Sequence, residues 1–151
     1  MQTRRKTLQR SAVVAGLLAG TGMFPSLALA FNTKAFEAKS LVDALKAIGA
    51  GAPQESKDVT VTGPDIAENG AVVPLGASTS LAGVKQLLIL VEKNPNTLAA
   101  IFNLTDSVEA SITTRAKMGQ SSDVYAVAIL ADGRALFAKK EVKVTLGGCG
   151  G

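Results

Sequence analysis

The chain has 151 residues, 16 Lys and Arg against 12 Asp and Glu, a formal net charge of +4, one Cys, one Tyr, and neither His nor Trp. Without His it lacks the commonest metal ligand and general base, so no Cys–His pair or Ser–His–Asp triad can be built from this chain alone. One Cys and no His also make a structural zinc or haem site implausible, and no cofactor is expected.

The N-terminal stretch reads as a leader. Arg4, Arg5, Lys6 and Arg10 form a basic segment, the run from Ser11 to Leu29 is moderately apolar, and Ala28-Leu29-Ala30 offers a small-residue cleavage site. This predicts a signal peptide over residues 1–30, cut after Ala30. The paired arginines and the Gly-rich, weakly hydrophobic run point to the twin-arginine route into the periplasm. Thr7 stands where that pattern usually has Phe, and an ordinary secretory signal is the alternative. Gly16, Gly20, Gly22 and Pro25 interrupt the run before it reaches membrane-spanning length. The leader holds four of the 16 basic residues and no acidic one, so the remainder balances 12 against 12. A near-neutral domain with few aromatics has neither the basic footprint nor the stacking platform of a nucleic-acid binder. Its 121 residues suffice for one domain with one core.

Beyond the leader, Ala38, Leu41, Val42, Leu45 and Ile48 recur at helical spacing, predicting one amphipathic helix that opens near Asn32 and stops at Gly49. After Pro53 the pattern changes to short strands between turn residues. Val59-Thr60-Val61-Thr62 is β-branched throughout and ends at Gly63-Pro64. Asn69-Gly70, a turn pair whose members tolerate positive φ, precedes a strand from Val72 to Ala77. Val84–Val91 is a nearly continuous apolar run that reads as a buried strand, with helix left open by period alone. Strands are also expected at Thr97–Leu104 and Glu109–Met118. The second alternates cleanly, with Ala110, Ile112, Thr114, Ala116 and Met118 on one face and a wet face opposite. Asp123–Ala131 is apolar on both faces, as expected of a central strand or one covered by another subunit. Asp132-Gly133 then turns the chain into a final strand, Arg134–Leu146, whose Val142, Val144 and Leu146 face inward. The fold expected is a mainly β, immunoglobulin-like antiparallel sandwich over residues 31–146, with one N-terminal helix.

The last strand runs into Gly147-Gly148-Cys149-Gly150-Gly151, a flexible arm by composition. A lone Cys is by default a small buried hydrophobe, but glycines on both sides give this sulfur no local wall to pack against. An exported chain with one Cys forms no internal disulfide, so Cys149 is expected either to pair with another molecule or to react. An unperturbed thiol ionises near ~8.5. The tail supplies nothing to lower that, so activation is expected from outside the chain. Three readings follow: a substrate carrier, a structural protein stapled through an intermolecular disulfide, and a thiol redox enzyme that would lack its resolving Cys. A staple gains nothing from a slim extended tip, whereas a carrier entering other proteins' clefts needs one.

The arginine-pair leader, the segment Ala67-Glu68-Asn69-Gly70-Ala71-Val72-Val73-Pro74, Asn94-Pro95 after the long strand, and the Gly147–Gly151 tail together resemble the SoxY family. Its members are carrier subunits of the bacterial sulfur-oxidation (Sox) system. The resemblance implies that pathway intermediates ride covalently on Cys149 and that Gly147, Gly148, Gly150 and Gly151 form its flexible arm. It implies a SoxZ heterodimer partner and transient docking to the haem cytochrome SoxXA, the hydrolase SoxB and, where present, the dehydrogenase SoxCD. It also implies a non-enzymatic carrier, with the catalytic cofactors held by those partners.

Overall fold

A computed structural model describes residues 32–145. Residues 1–31 and 146–151, which include the expected leader, Leu146 and the expected arm with Cys149, lie outside the described residues. Two short helices, α1 (Thr33–Phe36) and α2 (Leu41–Ala47), precede nine strands. These are β1 (Pro53–Glu55), β2 (Val59–Thr62), β3 (Ile66–Ala67), β4 (Val73–Thr79), β5 (Val84–Val91), β6 (Leu98–Asn103), β7 (Ser111–Ala116), β8 (Ser122–Leu130) and β9 (Ala135–Val144).

The expected single helix is divided, and the reason is tertiary. The Ala38 carbonyl, which would continue a helix, accepts instead from the Thr97 N–H at 3.0 Å. The chain then restarts at Ser40, whose hydroxyl caps the Asp43 N–H at 3.1 Å. Asn32 caps α1 through the Ala35 N–H at 3.2 Å and ties the two helices by donating to the Ala47 carbonyl at 2.8 Å. Splitting the helix also rotates its apolar stripe: Ala44 and Leu45 are buried, whereas Val42 is 46% exposed. The stop at Gly49 is as expected. Its φ of 75° lets Gly49 N–H bond to Lys46 and Ala50 N–H to Leu45, a Schellman ending.

Two sheets follow the expected sandwich. The larger runs β1-β9-β8-β5-β6, with β3 also pairing β9, and the smaller runs β2-β4-β7. The principal pairings are antiparallel; β1 and β3 add in parallel to the outer edge of β9. Neither short strand is signalled in the sequence. They exist because β9 offers an unpaired edge, not because Pro53-Gln54-Glu55 or Ile66-Ala67 has any strand pattern of its own.

The two-sided burial of β8 now has a cause. Val124, Ala126 and Ala128 enter the core between the sheets with Leu87, Ile89, Leu75 and Val142. Val127 and Ile129 lie on the other face, beneath Ala35, Ala44 and Leu45 of the helical segment. That face is covered by the protein's own helices, which makes β8 central rather than an exposed interface strand. Fully burying one Leu or Val of this kind contributes about 2 kcal/mol. On the smaller sheet, β7 keeps the expected alternation, with Ile112, Thr114 and Ala116 half-buried and Ser111, Thr113 and Arg115 exposed. Gly133, at φ 86°, closes the β8–β9 turn with its N–H on the Leu130 carbonyl at 3.0 Å.

Candidate functional site

The functional residue read from the sequence, Cys149, and the arm glycines Gly147, Gly148, Gly150 and Gly151 lie outside the described residues. What the structure does describe is the ground before that segment, the end of β9 at Val144 and Thr145 just past it.

This end is held on both sides. On one side β9 pairs with β8 from Ala135 as far as Val142. On the other, the Lys143 N–H donates to the Asp65 carbonyl at 3.0 Å and the Thr145 N–H to the Ala67 carbonyl at 3.1 Å. The Val144 N–H, one residue before Thr145, donates to Ser121 Oγ at 2.9 Å. Lys140 reaches back with Nζ to the Gly63 carbonyl at 2.6 Å and the Asp65 carboxylate at 2.9 Å. The Lys140 ammonium, hydrogen-bonded to Asp65, holds that carboxyl below the usual carboxylate range.

Three loops meet around this point. The Asn69-Gly70 turn is closed by Asn69 Oδ1 accepting from the Ala71 N–H at 2.9 Å. Gly70 does not use positive φ, unlike Gly49, Gly83 and Gly133. It is required for closeness: a Cβ there would stand 2.5 Å from the Met118 carbonyl oxygen and 2.8 Å from Val144 Cγ1. The Gly70 carbonyl in turn accepts from the Met118 N–H at 2.7 Å. The second loop carries Asn94, whose Nδ2 donates to the Lys117 carbonyl at 2.7 Å and whose Oδ1 accepts from the Gly119 N–H at 3.4 Å. The Lys93 N–H donates to Ser122 Oγ at 3.0 Å. The third loop, residues 117–121, is the common partner of the other two.

Ala67–Pro74 and Asn94-Pro95, far apart in sequence, are thus joined through residues 117–122 to the base of the arm. The sequence shows each segment as a turn; only the fold shows them as one collar. Ser121 carries no sequence signal for this role beyond lying in a Gly/Ser-rich turn, and Met118, expected as the last inward residue of a strand, lies past the end of β7 at Ala116. Among the described residues no group of three or more His, Cys, Asp and Glu is placed to hold a metal ion. A depression of about 830 Å³, lined by Ser80, Thr105, Asp106 and Glu109 among others, lies at the opposite end of the sandwich.

The family model for sulfur oxidation protein SoxY matches residues 44–149, from within α2 to Cys149 itself. The chain belongs to the SoxY family. Among solved structures, the SoxY sulfur carrier protein of Chlorobium limicola f thiosulfatophilum matches with 30% identity and a TM-score of 0.61. That match covers 70% of this chain and 96% of the Chlorobium SoxY. A superoxide reductase (neelaredoxin) of Ignicoccus hospitalis matches at 16% identity and TM-score 0.51, over 58% of this chain and 80% of its own. A putative superoxide reductase of Thermotoga maritima matches at 9% identity and TM-score 0.53, over 61% and 93%. These two share the SoxY sandwich and no more than the sandwich. No match was found among curated proteins.

Proposed function

We propose that this member of the SoxY family is a periplasmic sulfur carrier that holds pathway intermediates covalently on the Cys149 thiol and presents them to partner enzymes. The observation that carries this reading is a single thiol set between glycine pairs four residues beyond Thr145, where the chain is pinned by main-chain bonds to Asp65 and Ala67 and by the Ser121 hydroxyl. A rigid base with a slim tip suits a cargo that must enter several different clefts. Glycine gives the smallest peptide cross-section, and a tether raises the local concentration of its cargo once the base has docked. The family match, which runs to Cys149, supports the assignment.

In this reading, thiosulfate is conjugated to Cys149 by an oxidative step at SoxXA, SoxB hydrolyses sulfate from the adduct, and SoxCD oxidises the remaining sulfane sulfur where it is present. SoxZ is the standing partner. Residues 1–30 direct export and are removed after Ala30, residues 31–146 form the docking domain, and residues 147–151 form the arm. The chain supplies the attachment atom and the geometry, and its partners supply the catalysis.

Intact mass of the protein taken from periplasm, with and without reductant and with mapping of the terminal peptide, tests the proposal. Discrete sulfur or thiosulfonate additions on Cys149, some reductant-labile, are expected. Free thiol and reducible dimer alone, with thiosulfate and the partner enzymes supplied, would overturn it in favour of a disulfide staple.

A further inference from the structure

The Asn69-Gly70 turn carries a reactive pair that the carrier reading does not use. The carbon of an Asn side-chain amide is an electrophile, and the main-chain nitrogen of the next residue is a nucleophile able to close a five-membered ring on it. A glycine successor leaves that approach open, because it has no Cβ in the way. Ring closure then needs a free nucleophile, a polarised carbon and a leaving group that nothing holds.

Asn69 meets all three needs. The Gly70 N–H has no hydrogen-bond partner among the described residues. Asn69 Oδ1 accepts from the Ala71 N–H at 2.9 Å, a donor placed where negative charge gathers when the amide carbon is attacked. Asn69 is exposed and its Nδ2 has no partner among the described residues, so ammonia has an open path to solvent. The other four asparagines are each blocked. Asn94 precedes Pro95, which has no N–H. After Asn96, the Thr97 N–H is held by the Ala38 carbonyl at 3.0 Å. After Asn103, the Leu104 N–H is held by the Lys85 carbonyl at 2.8 Å. Asn32 is pinned at both ends of its amide, by the Ala35 N–H at 3.2 Å and the Ala47 carbonyl at 2.8 Å.

We infer that Asn69 is a modification site, converted without an enzyme to aspartate and isoaspartate through a ring formed with Gly70. The Gly70 nitrogen loses its proton to hydroxide and bonds to Asn69 Cγ; the Cγ–Nδ2 bond breaks, and Nδ2 takes up a proton and leaves as ammonia. Water then opens the imide. Attack at Cγ gives aspartate, and attack at the main-chain carbonyl carbon of residue 69 gives isoaspartate, whose main chain runs through Cβ and Cγ. The sum is one water consumed and one ammonia released, with nothing oxidised or reduced. Either product sets a second negative charge beside Glu68. Isoaspartate also lengthens the main chain between two anchors of the collar, the Ala67 carbonyl on the Thr145 N–H and the Gly70 carbonyl on the Met118 N–H. Gly70 has no slack to absorb the change, since even a Cβ there would stand 2.5 Å from the Met118 carbonyl oxygen. The collar therefore loosens as the protein ages. This inference is independent of the carrier reading.

The test incubates the full chain, expressed with its own leader, in its folded state, followed by peptide mapping by mass spectrometry. The peptide holding Asn69 is expected to gain the mass difference between OH and NH2, in two chromatographically distinct forms. Peptides holding Asn32, Asn94, Asn96 and Asn103 are expected to stay unchanged. Because the nucleophile reacts deprotonated, the rate is expected to rise about tenfold from roughly pH 7 to pH 8. In the isoaspartate form, amide exchange at Met118 and Thr145 is expected to quicken by about tenfold. Asn69→Ser, whose hydroxyl can still accept from the Ala71 N–H, is expected to keep both its mass and its exchange rates. A folded chain whose Asn69 is intact when the urea-unfolded chain has been converted would overturn the inference. So would conversion of another asparagine at an equal rate, or equal loosening in aged Asn69→Ser.

Discussion

Gly70→Ala is the sharpest probe of the collar around the arm base. The added methyl would stand 2.5 Å from the Met118 carbonyl oxygen and 2.8 Å from Val144 Cγ1. The first of these is main chain and cannot swing aside, since the same residue's N–H is held by the Gly70 carbonyl at 2.7 Å. Forcing a methyl into such a site costs about 1–3 kcal/mol, and losing the Met118–Gly70 bond adds about 1 kcal/mol. The expected destabilisation is therefore about 2–4 kcal/mol, or roughly 10 °C in Tm for a domain of this size. Gly119→Ala is the matched control, because a Cβ there meets nothing within 4 Å and φ is not positive. It should change stability by no more than about 0.5 kcal/mol, in either direction. Thermal and urea unfolding of both variants measure this. Equal stability for Gly70→Ala and Gly119→Ala would refute the close approach of the Asn69-Gly70 turn to β9.

Thr97 is fully buried and its Oγ1 has no hydrogen-bond partner among the described residues, so Thr97→Val should raise stability by about 1 kcal/mol. Urea titration should show a higher midpoint at unchanged slope, and a loss of stability would mean that the hydroxyl is bonded. Asp65 titrates below the ordinary carboxylate range because Lys140 bonds its charged form, so this contact stabilises the fold above the unfolded-state pKa and is lost as pH falls through the folded one. Carboxyl NMR should show the Asp65 midpoint rising toward 3.8 in Lys140→Gln, and no movement would remove Lys140 as the cause. Gly148→Phe, which thickens the arm next to Cys149, should cut turnover by the partner enzymes roughly tenfold or more at unchanged Tm. Full turnover by that variant would remove the argument for a slim tip.

Strands with a strong local pattern were legible in the sequence. β7 declares itself by alternation, β5 by its apolar run and the β8–β9 turn by Asp132-Gly133. The double burial of β8 was visible too, but what covers its second face was not, since that depends on where Ala35, Ala44 and Leu45 fold back. Elements defined by a distant partner were missed. β1 and β3 are created by the free edge of β9, and the helix break at Ala38 by the amide of Thr97, 59 positions away. Asn69-Gly70 reads as a pair suited to positive φ, whereas the structure uses Gly70 to let Met118 and Val144 come near. The reading of Cys149 rests on its position and neighbours in the sequence alone, since it lies outside the described residues. The collar was not, because Asn69-Gly70, Asn94 and Ser121 become neighbours only when β4, β5, β7 and β9 end at the same pole of the sandwich.

The way β9 is seated has a mechanical consequence. A load applied at Thr145 and directed along the strand acts in shear on β9, against β8 on one flank and β1 and β3 on the other. Hydrogen bonds loaded in shear yield together, whereas those of a strand peeled from an edge break one after another. In the proposed carrier role, an enzyme that drew residues 147–151 into a cleft would therefore pull against many bonds at once. Traction on the tail is transmitted to the whole sandwich, moving the domain rather than unravelling its last strand.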